Sequence, residues 1–228
     1  MMKGGSEMGR TGPRSVSLAL RRAFLSASVP VALEPRQALF HAGDRGDGCY
    51  FLRKGAAKAS IVASDGQERL LAVLGPGALI GELALIDDEP RSATVTALRR
   101  CRLRHLTKSR FFQLADENPQ VYREALRILA HRLREANANI LAQGTATVVE
   151  RVARAFILLC DAIGEKAAGG AVVLAHRVSQ ADIAALAGVA RENASRAING
   201  LIRQGLIGRD ESHYVVKRAD ALRAMAEI

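Results

Sequence analysis

Gly81-Glu82-Leu83-Ala84-Leu85-Ile86-Asp87-Asp88-Glu89-Pro90-Arg91-Ser92-Ala93-Thr94 places a carboxylate directly after a glycine, with an arginine and a hydroxyl nine and ten residues beyond that acid. Such a set suits a sugar phosphate. Glu82 can accept a hydrogen bond from a ribose hydroxyl, and Arg91 presents a phosphate with a fixed fork of donors. Gly81 lets the backbone come close, and N–H groups of the turn after it can add to an anion site. The plainer alternative is a β-turn carrying a surface Glu–Arg pair. Asp87-Asp88-Glu89 reads as a solvated turn.

Around this stretch, residues 29–106 break into short apolar runs punctuated by Gly43, Gly46, Gly48, Gly55, Gly66, Gly75 and Gly77. Tyr50-Phe51-Leu52, Ala59-Ser60-Ile61-Val62 and Leu70-Leu71-Ala72-Val73-Leu74 read as strands, with Ser64-Asp65-Gly66 as a hairpin turn. Many short strands with glycine turns predict a closed antiparallel barrel or jelly roll. Arg100, Arg102 and Arg104 alternate with Cys101, Leu103 and His105, as on a strand with one solvated face; direct contact with nucleic acid is the alternative.

Beyond Pro119 the period changes. Tyr122, Leu126, Leu129, Leu133, Ala136 and Ile140 follow a heptad spacing, flanked by Arg123, Arg127, Arg132, Arg134 and Glu135. The stripe predicts a long helix that pairs with a second copy of itself, or else packs on its own barrel. Gly144 marks a hinge or restart, and Thr147 with Glu150 forms a capping-box pattern ahead of the next apolar run. Ser179 with Asp182 repeats that pattern, and Gly188 sits where a tight turn would join two short helices. The second of these, about 191–204, would bury Ala194, Ile198, Leu201 and Ile202 and expose Arg191, Glu192, Ser195 and Arg196. Arginine pairs bidentately with guanine and glutamate accepts from cytosine in the major groove, so this face suits DNA. Gly205-Leu206-Ile207 and Tyr214-Val215-Val216 read as a small β-wing.

The net charge of +10 over 228 residues points to an anionic partner. Its distribution is uneven: residues 91–134 hold eleven Lys/Arg against three Asp/Glu, whereas residues 147–228 hold eleven against nine. Cys49, Cys101 and Cys160 are widely spaced and the five histidines are scattered, which disfavours a disulfide framework, an iron–sulfur cluster or any metal site. No run of 18 apolar residues suggests a membrane span and the Gly/Ser-rich start lacks a signal sequence, so a cytoplasmic chain with a disordered tail over 1–15 is expected. No Ser/His/Asp or paired-carboxylate set points to an enzyme.

In the order glycine, acid, apolar pair, arginine and small hydroxyl, residues 81–94 resemble the phosphate-binding cassette of cyclic-nucleotide-binding domains, and Arg191-Glu192 with Arg196 resemble the reading helix of the catabolite-activator/FNR superfamily. The likeness extends over about residues 16–220. It implies an α+β chain: an antiparallel β-roll over 16–115, a dimerisation helix over 116–145 and a winged helix-turn-helix over 146–228. It further implies a homodimeric, nucleotide-responsive transcription regulator with double-stranded DNA and RNA polymerase as partners. Gly81, Glu82, Leu83, Arg91, Ser92 and Ala93 would hold the nucleotide. In cAMP-binding members a pair on the central helix touches the base; aligned through Leu133 that pair is Ala136-Asn137, with Arg132 expected to pair with Glu82. An amide both donates and accepts, so the resemblance favours cAMP and leaves cGMP open. Arg191, Glu192, Ser195 and Arg196 would read a TGTGA-like half-site while Ser179 and Gln180 touch phosphates. A nucleotide-independent DNA-binding dimer and a regulatory subunit that does not bind DNA are the remaining alternatives.

Overall fold

The structure, a computed structural model, describes residues 24–64, 66, 68–174, 177–210 and 213–226. The expected tail over 1–15 and Asp65 of the hairpin turn lie outside the described residues.

Among the described residues, the N-terminal half contains eight strands: β1 (Val29–Leu33), β2 (Ala38–Phe40), β3 (Gly48–Lys54), β4 (Ala57–Val62), β5 (Glu68–Leu74), β6 (Leu79–Ile80), β7 (Thr94–Ala97) and β8 (Cys101–Thr107). They form two antiparallel sheets in the orders β1-β8-β3-β6 and β2-β7-β4-β5. Leu33, Leu52, Ala57, Leu74, Ile80, Val95, Ala97 and Leu103 fill the space between the sheets. β3 is buried along most of its length, because its other face is covered too. There Cys49 and Phe51 meet Leu79, Leu106 and residues of three helices: α1 (Glu82–Ile86), α2 (Lys108–Glu117) and α3 (Gln120–Thr145).

β8 departs from the expectation of one uniformly solvated face. Arg102 is exposed, but Arg104 is half-buried and donates to Ser28 Oγ at 3.0 Å, to the Leu25 carbonyl at 2.7 Å and to the Ser28 carbonyl. It satisfies carbonyls at the end of the helical turn over 24–27, which have no partner further along that turn.

Helix α3 has 26 residues, roughly 39 Å at the rise of an α-helix. Two apolar faces run along it. Val121, Ala125 and Ile128 are buried against the roll, while Leu126, Leu133 and Ile140 of the heptad stripe are 65%, 63% and 69% exposed. Leu126 and Leu133 of the stripe are therefore not on the face that packs on the barrel.

The C-terminal half starts at Thr147, whose side chain accepts from Glu150 N while Glu150 returns a bond to Thr147 N, a complete capping box for α4 (Val148–Ile163). A four-stranded sheet of order β11-β12-β10-β9 combines β9 (Gly164–Lys166) and β10 (Val172–Leu174) with the wing hairpin β11 (Ile207–Asp210) and β12 (His213–Val216). Between them lie α5 (Gln180–Ala187) and α6 (Arg191–Arg203), joined through Gly188 at φ 63°, and α7 (Ala219–Ala226) follows β12. Phe156, Leu159, Ile183, Ala194, Ile198, Leu201, Tyr214 and Leu222 form the core of this half.

That core continues into the roll. Leu70 and Val73 of β5 are buried in the same cluster, and Lys58 Nζ lies 2.7 Å from Glu68 and 3.7 Å from Asp182 of α5. A Cβ on Gly75 would come within 1.8 Å of the Ala162 carbonyl, so the close approach of the two halves needs glycine there.

Candidate nucleotide cavity and DNA-reading helix

The turn before α1 sets the geometry of the cavity. Gly81 takes φ 80°, a left-handed conformation, and a Cβ there would lie 2.3 Å from Arg91 Nη1. That space is used by the Arg91 guanidinium, which donates to the Gly81 carbonyl at 2.7 Å and to Asp47 Oδ1 at 2.8 Å. Its Cζ sits 4.3 Å from the centre of the Phe40 ring. Backbone bonds from Arg91 N to the Asp44 carbonyl and from Gly43 N to the Arg91 carbonyl, both 2.8 Å, lock the 43–47 loop against it. Arg91 is 3% exposed, and its Nε is buried without a hydrogen-bond partner.

Glu82 is fully buried. Its Oε1 accepts from Arg132 Nη1, whose Nη2 donates to the Leu79 carbonyl at 2.6 Å, so helix α3 is tied to the cassette. Glu82 Oε2 is buried and has no hydrogen-bond partner. A buried carboxylate oxygen left unsatisfied costs more than an ordinary lost bond. On either side of the Gly81 turn the protein thus holds one orphaned acceptor and one orphaned donor, which a ligand with both a hydroxyl and a phosphate would satisfy.

Glu82 and Arg91 both line a cavity of about 690 Å³. Gly81, Glu82, Leu83, Arg91, Ser92, Ala93, Arg132 and Ala136 all line it, as do Asn139, Arg151 and Arg154. Asn137 does not; it is exposed on α3, beside the apolar stripe. Asn139 instead faces the cavity, where its Oδ1 accepts from Arg154 Nε at 3.1 Å.

Asp47, Phe40 and Tyr50 carry no site signal in the sequence, Tyr50 reading only as part of a strand. Asp47 lies among glycines read only as turn formers, yet it partners Arg91 and sits 3.4 Å from His105 Nε2. Burial first, and then the Asp47 carboxylate, push the Tyr50 phenol above its ordinary value. The cysteines play no part in the cavity's polar set. All three are buried and unbridged, and burial raises each thiol. Among the described residues no group of three His, Cys, Asp or Glu is gathered as a metal site would need.

On the reading side, Arg191, Glu192 and Arg196 are exposed on the first turns of α6 and Ser195 is half-buried, while Ala194, Ala197, Ile198 and Leu201 are buried behind them. Arg196 Nη2 donates to Asn193 Oδ1 at 2.5 Å, which orients the side chain one turn along the helix. Ser179 Oγ accepts from Asp182 N at 3.0 Å and donates to Asp182 Oδ2 at 2.6 Å, so its hydroxyl serves the cap of α5. Gln180 begins that helix, half-buried.

A cavity lined by Glu82 and Arg91, in a chain that also carries a helix-turn-helix, defines a class of protein: a cyclic-nucleotide-binding, DNA-binding transcription regulator. The cyclic nucleotide-binding domain family matches residues 30–118, and the Crp-like helix-turn-helix domain family matches residues 150–225. The cyclic AMP receptor protein of Thermus thermophilus is 30% identical over 229 residues, covering 99% of this chain and 98% of its own. A CRP-like cAMP-activated global transcriptional regulator of Mycobacterium tuberculosis is 29% identical over 193 residues, covering 85% and 86%. Among solved structures, FixK2 from Bradyrhizobium japonicum superposes with a TM-score of 0.75 at 23% identity, covering 88% of this chain and 98% of that one. The chain belongs to the CRP/FNR superfamily of transcription regulators.

Proposed function

We propose that the chain works as a homodimer in which cAMP, bound at the cassette of each protomer, governs the reading of a TGTGA-like palindrome by two copies of α6. The buried, unpartnered Oε2 of Glu82 carries this reading: it is the acceptor that a ribose 2′-hydroxyl would meet, with Arg91 placed for the phosphate. Arg91 already donates to Asp47, whose side chain is 61% exposed, so water can take over the carboxylate when a phosphate takes the guanidinium. Ser92 and Ala93 line the same wall, and Gly81 and Leu83 flank the acid.

The exposed stripe of Leu126, Leu133 and Ile140 supports pairing of two α3 helices, because burying it against a second copy removes apolar surface from water. Arg132 links that helix to Glu82, giving the ligand a route to the dimer seam. Ala136 would contact the base within its own cavity. Asn137, exposed beside the stripe, would reach the base bound to the second copy. For allostery the nucleotide must favour the DNA-competent arrangement, and DNA must tighten the nucleotide by the same factor. Arg191, Glu192, Ser195 and Arg196 would read bases, with Ser179 and Gln180 on phosphates. We assign 16–115 to nucleotide binding, 116–145 to dimerisation and 146–228 to DNA binding.

The relatives named for cAMP support that ligand. cGMP is the second reading, favoured by the Asn137 amide, which can donate to guanine O6 as readily as it accepts from an adenine amine. We further infer a regulator with no enzymatic step, acting in the cytoplasm on RNA polymerase. Among the described residues no helix is long and apolar enough to cross a membrane. Calorimetric titration of the full chain with cAMP and with cGMP tests the ligand: cAMP binding the tighter supports the first reading, cGMP the tighter supports the second, and heat from neither overturns both.

A further inference from the structure

Asp47 has two neighbours. Its Oδ1 accepts from Arg91 Nη2 at 2.8 Å, and its Oδ2 lies 3.4 Å from His105 Nε2. That imidazole nitrogen is buried and makes no hydrogen bond, so His105 stands within reach of the carboxylate without holding it. The ring itself is fixed. It stacks on Tyr50 with centroids 4.6 Å apart, and a Cβ on Gly48 would come within 2.8 Å of Nε2. Lys108 N donates to the Asp47 carbonyl at 3.2 Å and ties the loop to the residue after β8.

Few other charges surround the imidazole. The 43–47 loop also carries Arg45, which is exposed, and Asp44, whose carboxylate accepts from His41 N at 2.7 Å. From β3 come Tyr50 and Cys49, both raised above their ordinary values by burial, so neither changes charge near neutral pH. β1, which pairs Val29 with His105, carries no charged residue. On β8 itself Arg102 is exposed and Arg104 is engaged by Leu25 and Ser28. Across the cassette Glu82 is held by Arg132. Arg91 and Asp47 cancel as they stand, and a charged imidazole beside them would add an unmatched cation. A bound phosphate adds a negative charge and draws the guanidinium away from Asp47. Water reaches the exposed side of that carboxylate, while Oδ2 faces His105.

We propose that His105 is a positioning residue for the nucleotide: on binding, the imidazole takes one proton from solvent, donates from Nε2 to Asp47, and so releases Arg91 to the phosphate. The inference rests on the cassette reading above, but not on which cyclic nucleotide fills it. Imidazole changes charge between about pH 5 and 8, a range over which a phosphodiester stays anionic. Because the nucleotide raises the proton affinity of the imidazole, the proton must raise the affinity for the nucleotide by the same factor. Nucleotide binding is therefore tightest at the acid end of that range and weakens as pH climbs through it.

The test is calorimetry of the full chain with cAMP and with cGMP from about pH 5 to 8, in pairs of buffers that differ in ionisation enthalpy. The difference in heat within a pair counts the protons taken up per nucleotide. The unaltered chain is expected to take up a large fraction of one proton midway through the range, and to bind about tenfold more weakly at its alkaline end, the factor for one unit of raised proton affinity. His105→Gln should bind as the unaltered chain does at the alkaline end, with no proton uptake and no slope with pH. Asp47→Asn, at an exposed side chain, removes the anion that draws the proton, so uptake should vanish there too; a merely structural role for His105 would leave it in place. Binding by the unaltered chain with no proton uptake, or uptake that either folded variant keeps in full, overturns the inference and leaves the cassette reading intact. Heat from neither nucleotide in any buffer sinks the cassette reading, and this inference with it.

Discussion

Replacing Arg91 by alanine separates the two tasks proposed for this side chain, folding and ligand capture. In the folded protein it donates to the Gly81 carbonyl at 2.7 Å and to Asp47 at 2.8 Å, over the face of Phe40. The Asp47 partner is largely exposed, so that ion pair is screened and its loss contributes little. The carbonyl bond and the ring contact together amount to about 1–2 kcal/mol. Toward a phosphate the balance differs, because Arg91 is 3% exposed and, in the proposed role, would meet the anion in a desolvated wall. Losing that charge-assisted contact costs about 3 kcal/mol, or roughly a hundredfold in affinity. Arg91→Ala should therefore melt a few degrees lower, remain folded at 25 °C, and bind cAMP about a hundredfold more weakly by calorimetry. Arg91→Lys should fall between, keeping the charge and losing the fork. An Arg91→Ala protein that is folded and binds with unchanged affinity would refute the phosphate role.

Gly81→Ala forces a Cβ into a left-handed turn and against Arg91 Nη1, which should destabilise the fold by about 1–3 kcal/mol in urea titration; a neutral outcome would mean that the turn is not needed in this form. Leu126→Glu combined with Leu133→Glu should give a folded monomer in sedimentation with little change in secondary structure, since both side chains are exposed in the single chain; a surviving dimer would place the seam elsewhere. Burial, with Asp161 beside it, pushes the Cys160 thiol from 9.0 up to about 12. A raised acid contributes stability that is complete below the unfolded value and is lost as pH climbs from about 9 towards 12. The melting temperature should fall across that window, less so in Cys160→Ala, and none of the three thiols should react with a thiol reagent at pH 8 before unfolding. Arg196→Ala should cost about 1–3 kcal/mol on a TGTGA site and relax preference at one base pair, whereas equal losses on all sequences would make it a phosphate contact.

Much of this fold is legible in local pattern. The Thr147–Glu150 and Ser179–Asp182 capping boxes, the left-handed Gly188 and the wing hairpin follow from residues a few positions apart, where backbone chemistry decides the outcome. β3, β4 and β5 read as strands because their apolar runs are long enough to register. β2 and β6, with three and two residues, are not, and they exist because neighbouring strands pair with them. Arg104 shows the limit of alternation: its partners, Leu25 and Ser28, lie more than seventy residues away. Asp47 escaped for the same reason, standing 44 residues from Arg91. On α3 the heptad caught the exposed stripe and passed over Val121, Ala125 and Ile128, which carry the contact with the roll. Ala136 and Asn139, three residues apart, share the face towards the cavity, whereas Asn137 is turned away by about 100° per residue of helix.

The most direct test of the whole mechanism is equilibrium binding of a palindromic TGTGA-N6-TCACA duplex at one fixed salt concentration, without nucleotide, with cAMP and with cGMP. Fixed salt is required because phosphate contacts alone shift affinity by orders of magnitude. Tightening by cAMP of about 5- to 150-fold, the usual span of allosteric coupling, with Arg91→Ala unresponsive, is the result expected. Equal affinity under all three conditions would contradict it, leaving a DNA-binding protein whose cassette does not govern the reading helix.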